Sequence, residues 1–464
     1  MKIRTKHLNM ILGVILATLC VSIIASCAGQ LPMRMAAPST ANVTTLDSDL
    51  LQPATAVVLD QPDTIPVVVP ESMPTISNEN ITPQPTIVPL PTATPLPPFA
   101  TTMPVSSNGQ AFPPRTGQIQ FGAAAHLFYT DRYTPLTRAQ DAGLGWVRQQ
   151  IHWKDQEGPG KFYAWGELDD IVADVNGRGL KLLISIVRSP SFYTANGGDG
   201  MPDDPQALGD FVAALATHYR GRVHAIQIWN EQNLAHENGG QVDVSDAGKY
   251  VELLKVAYTR IKEVDPSIIV VSGAPASTAT NGPGVAVSDM RYYRAMFEYQ
   301  NGIMRNYVDA VGVHPGGSAN APETLWPGEP STAQGWTNDP TFYFRNIENV
   351  RALMETYGME KHPVWITEFG WATANSTPGF EFGQQVSFDL QADYIRRAML
   401  LTAERYPWVD AMFVWNLNFA PLRAQSGDPN HEQASFGILD ANYNPRPAFY
   451  AIQQTIGKVR EMGR

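Results

Sequence analysis

From residue 118 onward the hydrophobic positions follow two alternating patterns. Short runs dense in Val, Ile, Leu and aromatic residues occur at 119–125, 146–151, 181–187, 223–229, 268–272, 310–314, 364–367 and 411–415. They are short and nearly continuous, as expected for strands buried on both faces. Between them apolar residues recur at helical spacing near 134–143, 166–178, 205–219, 246–264, 289–300, 341–357, 387–405 and 446–456. Asp204-Pro205 reads as a helix cap followed by proline at the first helical position, and Asp265-Pro266 as a helix stop. Eight strands alternating with helices across 118–464 predict a parallel (β/α)8 barrel with inserted loops. The rival is a doubly wound open sheet. Eight similar units without a glycine-rich first turn disfavour it.

The first 117 residues have neither pattern. Lys2, Arg4 and Lys6 precede an apolar run from Met10 to Ile24. That run is shorter than the roughly 20 residues a membrane-spanning helix needs, so it reads as the core of a signal peptide. It ends Ile24-Ala25-Ser26-Cys27, which resembles the lipobox of bacterial lipoproteins. The resemblance implies cleavage after residue 26, lipid on the Cys27 thiol and an extracytoplasmic, membrane-anchored protein. The alternative is a plain secretory signal. Residues 28–117 then hold 17 of the 37 prolines, with Thr, Ser and Val around them. Such a segment lacks ladder donors and favours extended polyproline II, so 27–117 is expected to be a disordered spacer.

Composition narrows the function further. Apolar residues are 44% of the chain and charged residues 17%, which suits a globular core. The net charge is −11, and removal of three cationic residues with the signal would make it −14. A nucleic-acid binder needs a basic face, so that class is disfavoured. The two cysteines are Cys20 and Cys27, leaving no thiol in the body for a disulfide, a nucleophile or a metal site. No G-x-S-x-G elbow, phosphate loop or H-E-x-x-H helix occurs. No metal and no organic cofactor is expected, and the protein is expected to be a monomer.

In a barrel, reactive groups project from the C-terminal strand ends. Two glutamates stand there. The fourth predicted strand delivers Trp229-Asn230-Glu231, and the seventh delivers Ile366-Thr367-Glu368-Phe369-Gly370. A carboxylate following a buried strand is costly unless it is paired or has work to do. Strands four and seven lie across the ring from each other, so these side chains can converge over its centre.

These residues resemble the clan A retaining glycoside hydrolases, nearest to families 39 and 5, over residues 118–464. The resemblance implies Glu231 as acid/base, Glu368 as nucleophile, and Asn230, Arg148, His314, Trp415 and His126 as sugar contacts. Trp371 and Trp415 offer flat apolar faces to a pyranose. The bland alternatives are a structural ion pair of the glutamates with Arg148, and core roles for most histidines and tryptophans. The chain departs from the family at Gly316, where a tyrosine often supports the nucleophile, and at Gln232, where proline is frequent. The expected activity is hydrolysis of β-linked polysaccharide or oligosaccharide, with the carbohydrate and, through Cys27, the membrane as partners. A non-catalytic carbohydrate-binding or scaffold protein and a transglycosylase are the alternatives. The long connections 273–288, 315–339 and 416–435 are expected to shape the cleft.

Overall fold

The computed structural model describes residues 117–463 except 329, 334 and 335. The predicted signal peptide, Cys27 and all but the last residue of the predicted spacer lie outside the described residues. Eight strands follow one another: β1 (Gln120–Ala125), β2 (Trp146–His152), β3 (Lys181–Val187), β4 (Ala225–Ile228), β5 (Ile269–Ser272), β6 (Val311–Val313), β7 (Val364–Phe369) and β8 (Val409–Val414). Their order in the sheet is β5-β4-β3-β2-β1-β8-β7-β6, and every pairing is parallel.

The ring closes between β5 and β6 by a thin seam. One parallel bridge joins Val271 to Ala310. The Ser272 N–H donates to Ala310 O (3.1 Å) and Asp309 N–H to Val270 O (2.9 Å). Side chains extend this short ladder. Asp309 Oδ2 accepts from Val270 N–H (2.7 Å) and Ser272 Oγ from Gly312 N–H (3.0 Å). A Cβ at Gly312 would lie 2.2 Å from Ser272 O. Glycine is therefore required for the two strands to approach.

The principal helices are α1 (Tyr133–Asp141), α2 (Gly166–Gly177), α3 (Pro205–His218), α4 (Asp246–Val264), α5 (Asp289–Gly302), α6 (Ile347–Thr356), α7 (Phe388–Arg405) and α8 (Pro447–Glu461). Asp204 caps α3 by accepting from Gln206 N–H (2.9 Å), and Ser387 caps α7 by accepting from Leu390 N–H (3.1 Å). Three predicted helices differ from expectation, and the simplest case is α8, which runs on past residue 456 to Glu461. The backbone of α5 leaves helical geometry at Tyr299–Asn301. The segment predicted as 341–357 begins instead with two single turns around an extended Tyr343, because Asp339 caps only the first turn, which opens on Pro340. Among the described residues no helix is long and apolar enough to cross a membrane.

Inside the ring the side chains form layers. The floor is apolar: Trp146, Leu183, Ala225, Val271, Ala310, Trp365, Ala411 and Phe413. Trp146 meets Trp365 edge-on at 5.3 Å and Phe413 at 6.3 Å, so large rings fill the closed end. Two residues further along the strands the layer turns polar, with Arg148 on β2 bonded to both Ser185 on β3 and Gln227 on β4. This order places chemistry on a rigid apolar base. The Gly312→Ala substitution is expected to cost about 1–3 kcal/mol by overpacking the seam. A lowered urea midpoint at unchanged slope would show it, and an unchanged midpoint would contradict the seam as described.

Candidate active site

The centre of the polar layer is Arg148, which is 1% exposed. It donates from Nη1 to Glu368 Oε1 (2.6 Å), from Nη2 to Asn230 Oδ1 (2.7 Å) and Ser185 Oγ (3.2 Å), and from Nε to Gln227 Oε1 (2.9 Å). Gln227 passes the network on, donating from Nε2 to Thr367 Oγ1 (3.1 Å). A buried guanidinium is tolerated only when its charge and its fan of N–H donors are met in this way.

Glu368 reaches this network through an irregularity in β7. Ile366 pairs with Met412 and Phe369 with Val414, so two β7 residues stand opposite one on β8. The bulge cancels the strict alternation of faces. Thr367 and Glu368 consequently both touch the inner network. Sequence reading ends the strand at Thr367; the strand runs on to Phe369. Glu231 arrives differently. After β4 the chain turns sharply, with positive φ at Trp229 (68°) and Glu231 (48°), and Glu231 N–H donates to Ala274 O (2.9 Å). Backbone strain of this kind is held in place by surrounding contacts.

His314, after β6, stands between the two acids. Its Nδ1 is 3.1 Å from Glu231 Oε1 and its Nε2 is 3.9 Å from Glu368 Oε1. One ligand-type atom from each of Glu231, His314 and Glu368 falls within 4.8 Å of the others, so the two carboxyl groups face each other. Burial pushes Glu231 up to about 8, with Glu237 adding to the effect. Burial also raises Glu368, but the Arg148 guanidinium bonded to it pulls it back down. Burial lowers His314 to about 4, so its ring is neutral near pH 7. The environments thus separate two identical side chains: one is kept protonated, the other sits against a fixed cation. The same trio has metal-ligand atom types. A cation there would meet a guanidinium already bonded to Glu368 and a protonated Glu231, and both oppose it.

Above the acids lies a recess of about 630 Å³. Its walls are aromatic: Trp336, Phe342, Phe380, Phe382, Trp415 and Phe436, with Ser277 and residues 315–318 beside them. Trp336 packs edge-on against Phe342 (5.3 Å) and Phe382 (4.9 Å). The connections 273–288 and 315–339 contribute as expected; the third, 416–435, does not line the recess, which takes Trp415 before it and Phe436 after it. The connection after β7, which carries Phe380 and Phe382, was not foreseen; two phenylalanines in a polar stretch after a strand were the available signal. Gly316 has no room for a side chain, since a Cβ there would lie 2.7 Å from Thr341 O. Arg148 and His314 therefore face Glu368 without a tyrosine at that position.

The other candidate residues fall in different places. Trp415 lines the recess and packs on Phe419 (4.9 Å). Trp371 does not line it. It is 1% exposed, donates from Nε1 to Asn320 O (2.9 Å) and packs against Tyr394, so it supports the loop from behind. Arg148 lies under the acids and bonds to protein groups, which makes it a buried ion-pair partner. Asn230 is likewise buried, but its Nδ2 has no protein partner. His126 is outside the recess lining. Its ring lies 6.1 Å from Phe419, burial lowers it to about 4, and its backbone is clamped by the Asn418 amide (2.9 and 2.7 Å).

No protein-family model matches the chain, and no curated protein matches it in sequence. Solved structures do match the fold. A family 39 glycoside hydrolase from Bacteroides cellulosilyticus WH2 superposes with a TM-score of 0.53 at 19% identity, covering 73% of this chain and 63% of that one. This chain therefore spans under two thirds of that protein's length. GH5_18 from Streptomyces cattleya gives 0.53 at 15% identity, covering 74% and 81%. A glucosidase from Croceicoccus marinus gives 0.52 at 14%, covering 75% and 69%. The chain shares the (β/α)8 fold of these glycoside hydrolases.

The Arg148→Met variant strands Glu368, Asn230 and Gln227 without their donor. It is expected to lose about 3–5 kcal/mol of stability in urea unfolding. A loss below ~1 kcal/mol, the scale of an exposed pair, would remove Arg148 from its central place.

Proposed function

We propose that this protein is a retaining glycoside hydrolase in which Glu368 is the nucleophile and Glu231 the acid/base. The observation that carries the reading is the close approach of these two carboxyl groups, within 4.8 Å oxygen to oxygen, with the Arg148 guanidinium bonded to Glu368 and the His314 ring to Glu231. Retaining enzymes hold their carboxyl groups about 5–5.5 Å apart, whereas inverting ones leave about 6.5–9.5 Å for a water.

The steps follow from the surroundings of each group. Glu368, held by Arg148, attacks the anomeric carbon while Glu231 gives its proton to the departing oxygen. The carbon–oxygen bond to the leaving group breaks and a glycosyl ester forms on Glu368. Glu231, now ionised, takes a proton from water, which attacks the ester and frees the sugar and Glu368. We assign to Asn230 Nδ2, which is buried without a protein partner, the donation of a hydrogen bond to a sugar hydroxyl. Trp415 and the neighbouring rings suit the C–H face of a pyranose. The substrate class we favour is a β-linked polysaccharide or oligosaccharide. We further propose that Cys27 carries lipid and that residues 28–117 space the barrel from a membrane; several acyl chains would make such anchoring stable.

Glu231→Gln is expected to lower kcat on substrates with poor leaving groups by on the order of 10²–10⁴-fold, and with aryl glycosides that need no acid to keep a fast first burst of aryl alcohol while the second step, which needs Glu231 as base, slows. Glu368→Gln should abolish turnover of both kinds. Full hydrolysis of every substrate by both variants would end this reading, and NMR should show the first product with the substrate's anomeric configuration. The pH–rate profile should fall on the alkaline side near 8, where Glu231 loses its proton. On the acid side it should fall above the ordinary carboxyl value of about 4.3, because Glu368 is raised and must be ionised to attack. Separately, Cys27→Ala should release the protein from the membrane fraction of its host.

A further inference from the structure

The mouth of the barrel is not uniform. The recess over the acids is built by the connections after β5 to β8. On the opposite side, connections after β2 and β3 form a second, more open recess of about 800 Å³, lined among others by Lys154, Asp155, Pro190, Phe192 and Asp199. Phe192 is 49% exposed, a large apolar ring facing solvent on the catalytic side of the fold. Its support is rigid. It rests on Tyr193 (4.6 Å), which stacks on Trp153 (5.1 Å), which in turn stacks on Phe211 (5.3 Å). Buried Glu157 ties the column together, accepting from Trp153 Nε1 (2.6 Å) and Tyr193 Oη (2.7 Å).

The rest of the lining is largely polar. Lys154 Nζ meets Asp199 Oδ2 at 2.7 Å, and both remain partly exposed, while Asp155 is open to solvent. Gly197 and Gly198 contribute backbone and leave the space free. The recess also connects to the acids through one side chain. Arg188 bonds Asp199 (3.3 Å) on the recess side and Glu237 (3.3 Å) on the loop that carries Glu231.

An exposed flat ring sharing one open recess with paired donors and acceptors is the chemistry that recognises a pyranose. The ring covers its C–H face, and charged groups bond its hydroxyls. A single ring among charged groups is too small and too polar for a stable protein interface, which needs a larger apolar centre. We infer that the Phe192 recess is a second sugar subsite, holding a unit of the substrate chain removed from the bond that is cut. This inference rests on the glycoside-hydrolase reading and extends it: the substrate is a chain that crosses the mouth from the aromatic recess toward β2 and β3.

The test uses the full-length protein and β-linked gluco-, xylo-, manno- and galacto-oligosaccharides of two to six units, with the matching aryl monoglycosides as short substrates. The unaltered protein should show kcat/KM rising with chain length. Phe192→Ala should lower the ratio of long-chain to aryl-glycoside kcat/KM by about tenfold, the scale of one stacking contact. Tyr450→Ala, an equal loss at an exposed ring on α8, should leave that ratio as it was. Phe192 is exposed, so its removal does not threaten folding. A chain-length profile that is flat, or a ratio unmoved in Phe192→Ala, would overturn the subsite and leave the hydrolase reading standing. Hydrolysis of none of these substrates by the unaltered protein would overturn both.

Discussion

One guanidinium organises the centre of this barrel. Arg148 arrives from β2 at a depth where water does not reach, and its charge is tolerable only because four side chains from β3, β4, the loop beyond β4 and β7 accept its hydrogen bonds. Those partners are the groups that surround the proposed reaction. Glu368 gains a fixed counter-charge, Asn230 is held by its oxygen with its amide nitrogen left free, and Gln227 carries the network to Thr367. The cost of burying the ion is thus offset by the same contacts that position the site, so stability and geometry are not independent here.

The difference between the two glutamates follows from that placement. Both are buried, and burial alone would keep both protonated. Glu368 has a cation against it; Glu231 has instead a neutral histidine on one side and the Glu237 charge behind it. The asymmetry is made by neighbours on different strands. A similar division runs across the mouth, where the β5–β8 side supplies aromatic walls and the β2–β3 side supplies charge with one exposed ring.

Much of this was legible along the chain. Runs of buried apolar residues gave all eight strands to within about two residues at most ends, because a strand covered on both faces leaves few polar interruptions. The helix start at Asp204-Pro205 and the helix stop at Asp265-Pro266 were marked by a capping side chain and by prolines, which begin a helix readily and cannot continue one. The two acids stood out because a carboxylate at the end of such a strand is expensive without a partner. The place of Trp371 was not legible in this way. A tryptophan two residues beyond a strand can face either the cleft or the packing behind it, and only the carbonyl of Asn320 and the ring of Tyr394 decide which.

By itself, then, the sequence determined the number and order of the elements, the barrel they form and the two carboxylates at its mouth, since these depend on local periodicity and on what each residue costs to bury. The tertiary structure decided which way the side chains point. A bulge between β7 and β8 turns Glu368 inward, positive φ at Trp229 and Glu231 turns the other acid toward it, and the loops after β6 and β7 meet to wall the recess with rings. Each of these depends on contacts between segments far apart in the chain, and a one-residue shift in register reverses the face a side chain takes.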